Sequence, residues 1–410
     1  MLNNHMVFPL SPIAYSLELT YACKHRCPGC ANKWNNGHAR HMVFWKRILN
    51  CIAPPDHRHQ YAEIIRVTGG EPTLHHQFTE IIQYIDQLNI PHALFTSGRW
   101  AYPRHVIDCY QSCNNFTGML ISLHGHTKSS HQQFVQANEL HIFSEICDTI
   151  EQVAKSGLTV FTNTVLTRFN CAHVDEIIQL SKDLGAECAV FNRFIGECLE
   201  IQPTVKQLKH ALEKIKAYDR ATCHMGNCIP QCFVPDLSDP PCAGFEHCAI
   251  SPEGWIRPDN LTTQVFGNIL ETSIEDIWQS QRARAYRLVC HPDCLQCAEL
   301  MNCRGGERSE IIEYGLKQDR LMTSRFKSPI QQCITLDPAW HPLPLFRIRK
   351  HTDGLILTRY NLSLPVDNRM QPILDAMNGQ NTIHALQQNF GDNVIDVIGI
   401  LAQKGFLSFQ

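Results

Sequence analysis

Three cysteines near the start of the chain carry its clearest chemistry. Cys23, Cys27 and Cys30 stand in TYACKHRCPGC with C-x3-C-x2-C spacing, so one tight loop presents three thiolates to a single metal group. A 4Fe-4S cube has four irons, and three protein ligands leave one iron open for a substrate or cofactor. Zinc sites more often pair C-x2-C units and close the fourth position with another Cys or His, which makes zinc the poorer match. A second, denser cysteine series runs from Cys223 to Cys333. Its strongest part is Cys294, Cys297 and Cys303, spaced C-x2-C-x5-C and followed by Gly305 and Gly306. Zinc is a stronger alternative there, because four cysteines around one metal also satisfy it.

The elements that must position these groups are bounded by composition. At 410 residues, and roughly 150 per domain, two to three domains are expected. With 36 basic and 39 acidic residues the formal net charge is −3, which lacks the basic excess that attraction to nucleic acid needs. No apolar run reaches the roughly 18 residues of a membrane span. The start of the chain lacks a basic segment followed by an uninterrupted apolar one, so no signal peptide is visible and a reducing cytoplasm is expected. Twenty cysteines in that setting point to metal ligation and not to a disulfide framework.

Six β-rich runs alternate with helix-period stretches between the cysteine groups: Leu17 to Thr20, Ile64 to Thr68, Ala93 to Thr96, Met119 to Leu123, Thr159 to Val165 and Ala189 to Phe194. Successive βα units of this kind predict an α/β fold with a parallel sheet closed as a partial (β/α)6 TIM-like barrel, whose chemistry sits just after the strands. The clearest helix repeats Ile142, Ile146, Ile150 and Val153 before Gly157 stops it. Residues 220–336 are rich in Cys, Pro and Gly and read as a region held by metal clusters in place of a hydrophobic core. The segment from Asp337 to Pro344 reads as a linker, and Leu345 to Phe409 as a small winged-helix-like α+β domain with a hairpin around Asp353 and Gly354. The expected domains are therefore 1–219, 220–336 and 337–410.

The cysteine loop resembles the signature of the radical S-adenosylmethionine (radical SAM) enzymes, in which the open iron of a 4Fe-4S cluster chelates SAM. One departure is Gly29, where that family commonly has an aromatic or larger residue. Later strand ends are similar to the family in order and spacing: Gly69, Gly70 and Glu71 in GGEP, Ser97 in TSG, Ser122 in ISLHG, Asn163 in TNTVLT and Arg193 in FNRFIG. The resemblance implies that the GGEP segment receives the SAM amino group and that Ser97, Ser122, Asn163 and Arg193 contact its ribose, carboxylate or sulfonium region. It implies reductive SAM cleavage and hydrogen-atom abstraction by a 5′-deoxyadenosyl radical, fed by a reductant such as flavodoxin or ferredoxin. His124 and His131 read as structural or substrate-side residues, and no general base stands out.

The second cysteine region resembles the SPASM extension of these enzymes, which binds auxiliary iron-sulfur clusters. Cys294, Cys297 and Cys303 with Cys333 as fourth ligand would close one such cluster. The family's other site uses a cysteine, a glycine and, five positions on, a second cysteine; Cys242 and Gly254 fit, but the last position is Asp259. Four positions after Cys303, where the family repeats cysteine, this chain has Glu307. That cluster either accepts oxygen ligands, recruits Cys232 and Cys248, or is missing. Residues 345–409 resemble the PqqD-like peptide-recognition fold, in which the leader of a ribosomally made precursor peptide adds as a strand. Together these resemblances imply a peptide maturase. A radical SAM enzyme of small molecules such as tetrapyrroles, and a non-catalytic metal-cluster protein, are the alternatives.

Overall fold

Strand β1 (Ala14–Glu18) is buried along its whole length and anchors a parallel sheet. There follow α1 (Met42–Ile52), β2 (Ile64–Thr68), α2 (Phe78–Gln87), β3 (His92–Thr96), α3 (Pro103–Gln111) and β4 (Phe116–Ser122). The series continues with α4 (Lys128–Val135), α5 (Ile142–Lys155), β5 (Val160–Leu166), α6 (Val174–Asp183), β6 (Cys188–Arg193) and α7 (Val205–Ala217). Each of the six strands pairs in parallel with the next, the arrangement of a partial barrel. The computed structural model describes residues 8–30, 32, 39–54, 61–136, 139, 141–235, 237, 243–323, 335–351, 354–360 and 362–410.

Alternation along the strands separates two faces. On β5, Val160, Thr162, Thr164 and Leu166 are buried against the helices, whereas Phe161, Asn163 and Val165 stay half-buried and face an open lumen. The helices seal the outer face: Ile142, Ile146, Ile150 and Val153 of α5 are all fully buried, as their periodicity predicts. Strand β1 begins and ends earlier than expected, at Ala14–Glu18. The backbone after it serves another partner, since Leu19 N–H donates to Thr68 O, and Thr20 O and Ala22 O accept from Gly70 and Glu71 N–H.

The sheet does not stop at residue 219. Strand β7 (Cys223–Met225) adds beside β6 in parallel, and β8 (His247–Ile250) adds to the free side of β1. The antiparallel strands β9 (Trp255–Arg257) and β10 (Gly267–Asn268) then extend a ten-stranded order β10-β9-β8-β1-β2-β3-β4-β5-β6-β7. Helices α8 (Ile274–Gln279), α9 (Gln281–Arg287), α10 (Leu300–Cys303) and α11 (Arg308–Glu313) complete one compact unit, Ser11–Phe326. The expectation that metal clusters replace a core in this region is corrected by its packing. Ile229, Phe233, Val234 and Leu237 join Leu208, Leu212 and Ile215 in one apolar cluster, while Trp278 and Tyr286 join the main barrel core.

The second unit comprises Lys327–Gln410 with Met1–Leu10. Strands β11 (Pro342–Pro344), β12 (Arg347–His351), β13 (Gly354–Arg359) and β14 (Leu362–Val366) precede helices α12 (Gln371–Ala376), α13 (Ile383–Phe390), α14 (Asn393–Gln403) and strand β15 (Leu407–Phe409). Strands β12, β13 and β14 form an antiparallel sheet, and Leu357, Met377, Leu386 and Ile398 centre a core of its own. Asp353 lies outside the described residues. The expected linker ends in structure: Pro342 and Pro344 lie in β11 opposite Phe409 and Leu407, a two-stranded ribbon in which proline's missing N–H is tolerated.

Candidate active site

The GGEP turn and the cysteine loop are built against each other. A Cβ at Gly70 would lie 2.3 Å from Ala22 O and one at Gly69 2.5 Å from Thr20 O, so only glycine lets the turn dock on the root of the loop. The close approach seen at both glycines is to protein backbone. Glu71 reinforces it. Its carboxylate accepts from Thr96 Oγ1 at 2.8 Å, Ser97 N–H at 2.8 Å, Ser97 Oγ at 2.6 Å and Thr73 Oγ1 at 2.7 Å. That set engages Glu71 and Ser97 with each other and ties the turn to the end of β3.

On the other side of the loop, Gly29 has φ +76°, and a Cβ there would meet Ile195 O at 2.4 Å and the Phe194 ring at 2.8 Å. Phe194, from the end of β6, therefore fills the space beside the loop that a side chain at position 29 would claim. Cys27 and Cys30 line a cavity of about 380 Å³ that opens over the barrel lumen, a size suited to a small-molecule or cofactor site. Burial, then the Cys30 and Cys23 thiols, push the Cys27 thiol up, and burial pushes Cys23 up to about 11. Ionising all three needs a cation among them, which is the donor chemistry of a metal cluster. The trio fits a 4Fe-4S group by its soft ligands on one loop, two of which open onto the cavity.

The remaining expected SAM contacts divide. Asn163 lines the cavity and its Oδ1 accepts from Asn192 Nδ2 at 2.6 Å, with Ser122 paired beside it at the end of β4. Arg193 also reaches the cavity wall, but Nη1 and Nη2 each donate to Asp319 at 2.8 Å and Glu310 lies 3.3 Å away. The two terminal nitrogens of Arg193 are thus engaged by a buried acid pair that ties β6 to the 307–319 segment.

His124 lines the cavity wall with His131 behind it, and Arg66 and Cys228 are wall residues that the sequence did not single out. His124 Nδ1 accepts from Val165 N–H at 3.2 Å, which leaves the proton on Nε2, and burial holds this imidazole neutral. His131 is wholly buried, and its Nδ1 accepts from His124 N–H, so it is a support for His124. Arg66 and Cys228 line the same cavity. Arg66 sits inside a strand whose Ile-Ile-Arg-Val-Thr run shows only that one face is not apolar.

The second sulfur group also regroups. Cys294, Cys297 and Cys303 line one small cavity, and the fourth thiol there is Cys232, contributed from the segment after β7. Cys290 joins them: the Cys294 thiol is pushed up to about 12 by burial, then by Cys290, Cys303, Cys232 and Cys297. Any four of these five soft donors would fit a closed cluster, with Cys290 beside the four that line the cavity. Cys248 is corrected: it lies in β8, fully buried in the apolar core and away from this group. Cys242 and Cys333 lie outside the described residues. Asp259 and Glu307 are drawn into a hydrogen-bond network, Asp259 Oδ2 accepting from Ser309 Oγ and Glu307 Oε1 from Ser309 N–H, with Tyr286 OH 2.9 Å from Ser309 Oγ.

The radical SAM superfamily profile matches residues 17–181, which hold the cysteine loop and the first four strands after it. A second profile, SPASM, an iron-sulfur cluster-binding domain, matches residues 242–303. The chain carries a radical SAM domain followed by a SPASM domain. These domains imply a 4Fe-4S cluster, SAM and auxiliary iron-sulfur clusters as cofactors. The chain is 25% identical over 315 residues to the PqqA peptide cyclase of Methylobacterium nodulans, covering 68% of this chain and 76% of that one. The PqqA peptide cyclase of Bradyrhizobium diazoefficiens matches at 25% over 297 residues, with 66% and 74% covered. In fold, the radical SAM chain is similar to SuiB of Streptococcus suis bound to its precursor peptide SuiA, with TM-score 0.63, 15% identity and 77% and 76% covered. Among the described residues no helix is long and apolar enough to cross a membrane.

Proposed function

We propose that this radical SAM enzyme modifies a ribosomally made precursor peptide, with residues 337–410 holding the leader and the barrel receiving the residue to be changed. The observation that carries the chemistry is the shared cavity: two of the three loop thiols, Cys27 and Cys30, open onto the same enclosed lumen as Asn163 and His124. When bound, the 4Fe-4S cluster and SAM supply one-electron cleavage of the sulfonium and hence hydrogen-atom abstraction. Cys23, Cys27 and Cys30 would hold three irons; Ser122 and Asn163 would orient SAM at the strand ends. The half-buried lumen wall would exclude water around the reacting residue.

The auxiliary group is assigned to Cys232, Cys294, Cys297 and Cys303, four thiols that leave no open iron and so suit electron transfer. The likeness to PqqA peptide cyclases and the fold shared with a SuiA-bound protein support a peptide as substrate. The second unit supports it independently. Its sheet ends in the exposed edge strand β12, which bears Arg347, Arg349 and Lys350 and would accept an acidic leader as an added strand. The deciding experiment is anaerobic reduction of the reconstituted protein with SAM, followed by co-expression with short reading frames beside its gene. 5′-Deoxyadenosine and a mass change in one such peptide are expected. Deoxyadenosine without any modified peptide would favour a small-molecule substrate, and no deoxyadenosine would leave only a cluster scaffold.

A further inference from the structure

The lumen, which Asp259 and Glu307 also line, contains a cation with no ion-pair partner among the described residues. Two arginines line the cavity, and both terminal nitrogens of Arg193 are engaged with Asp319 and Glu310, its Nε alone having no hydrogen-bond partner among the described residues. Arg66, two residues before the end of β2, has no carboxylate and no hydrogen-bond acceptor among the described residues. Its guanidinium lies over the Phe95 ring at 5.7 Å, a contact that covers one face and leaves the in-plane N–H groups free. Its imidazole neighbour, His247, takes a hydrogen bond with Ser16 Oγ at 2.8 Å and is held neutral by burial and by Arg66 itself. Burial pulls Arg66 down to about 10, which still leaves it charged at neutral pH. An unpaired, half-buried guanidinium carries a desolvation cost, and five donors in a fixed fork match a carboxylate.

We propose that Arg66 is a carboxylate-binding residue of the lumen, gripping an anionic group carried in by the ligand that fills the cavity. Two molecules could bring it: SAM through its methionine carboxylate, or the peptide through an acidic side chain or its C-terminus. The assignment rests on the lumen being the SAM and substrate chamber.

Binding to the reconstituted full-length protein tests it with two probe pairs, under anaerobic conditions and without turnover. One pair is SAM and decarboxylated SAM by equilibrium dialysis; the other is N-acetylglutamate α-amide and N-acetylglutamine α-amide by saturation-transfer NMR. In Arg66→Gln, the carboxylate-bearing member of one pair should weaken about tenfold or more, while its carboxylate-free partner is unaffected. Loss in the first pair assigns the anion to SAM, and loss in the second assigns it to the substrate. Arg66→Lys should recover part of the binding. Because the wild-type cation is uncompensated, ligand-free Arg66→Met should melt at the same temperature or higher. If Arg66→Gln leaves both pairs unchanged, or Arg66→Met melts lower, the assignment fails. A chain that still cleaves SAM under those outcomes keeps the proposed reaction and loses only this residue's role.

Discussion

The two sulfur groups solve opposite problems. Cys23, Cys27 and Cys30 come from one loop, pinned from below by Gly69 and Gly70 and from the side by Phe194, and two of them open onto a cavity of about 380 Å³. The other group gathers Cys294, Cys297 and Cys303 from one stretch and takes Cys232 from a distant one, around a small separate cavity. Three thiols beside a chamber leave room for a ligand on the metal. Four thiols around a small void leave none. On the proposed assignment, the difference would separate the iron that meets SAM from the iron that passes electrons.

The strongest way to break that comparison is to remove one thiol from each group. Cys27→Ala should abolish 5′-deoxyadenosine formation outright, whereas Cys294→Ala should preserve SAM cleavage and stop peptide modification, both read by chromatography and mass spectrometry. Equal loss of both activities in Cys294→Ala would make the second group structural. The next test separates Cys232 from Cys248. Iron analysis should show wild type near eight irons per chain, about four fewer in Cys232→Ala, and no change in Cys248→Ala, since two four-iron groups are expected. An unchanged iron count in Cys232→Ala would move the fourth ligand to Cys290 or Cys333.

These assignments also show what could be read from the chain beforehand. Spacing of the cysteine trio and the hydrophobic periods of strands and helices were legible, because local pattern and local contact coincide there; β2 spans Ile64–Thr68 as expected. The partner of the 294–303 cysteines was not, since Cys232 reaches it through a fold-back that no spacing encodes. Glu71 and Arg193 match a family pattern by position, yet what their charges touch depends on Ser97 and Asp319, far away in sequence. Strands β7 and β8 escaped for a simpler reason: three or four residues are too few to show a period. Arg66 was invisible because its meaning is an absence of partners, a property of the folded lumen alone.

Smaller effects sharpen the contrast in how the loops are held. Gly70→Ala places a methyl group against the Ala22 carbonyl, and a cost of about 2–4 kcal/mol in unfolding is expected with loss of iron from the first group only. In the second unit, Leu357→Ala should cost about 2–5 kcal/mol locally, because Leu357 is fully buried in that unit's own core. Its 5′-deoxyadenosine yield without peptide should match wild type. A parallel loss of SAM cleavage would mean that the two units do not act separately.

The smallest effect bears on whether a third metal group exists. Asp259 and Glu307 stand where the SPASM pattern has cysteines, and both hydrogen-bond to Ser309, which also meets Tyr286. Burial raises the Asp259 carboxyl pKa, so the Ser309 bond helps hold it in place whichever form it takes. If this network has replaced a cluster, Ser309→Ala removes one buried hydrogen bond and should cost about 1–2 kcal/mol in denaturant unfolding, with iron unchanged. If Asp259 instead ligates iron, freeing its carboxylate from Ser309 should leave the iron in place but shift the spectrum of one cluster, and wild type should carry near twelve irons per chain. Iron counting and the unfolding midpoint, measured on the same preparation, separate a hydrogen-bonded plug from a carboxylate-ligated cluster.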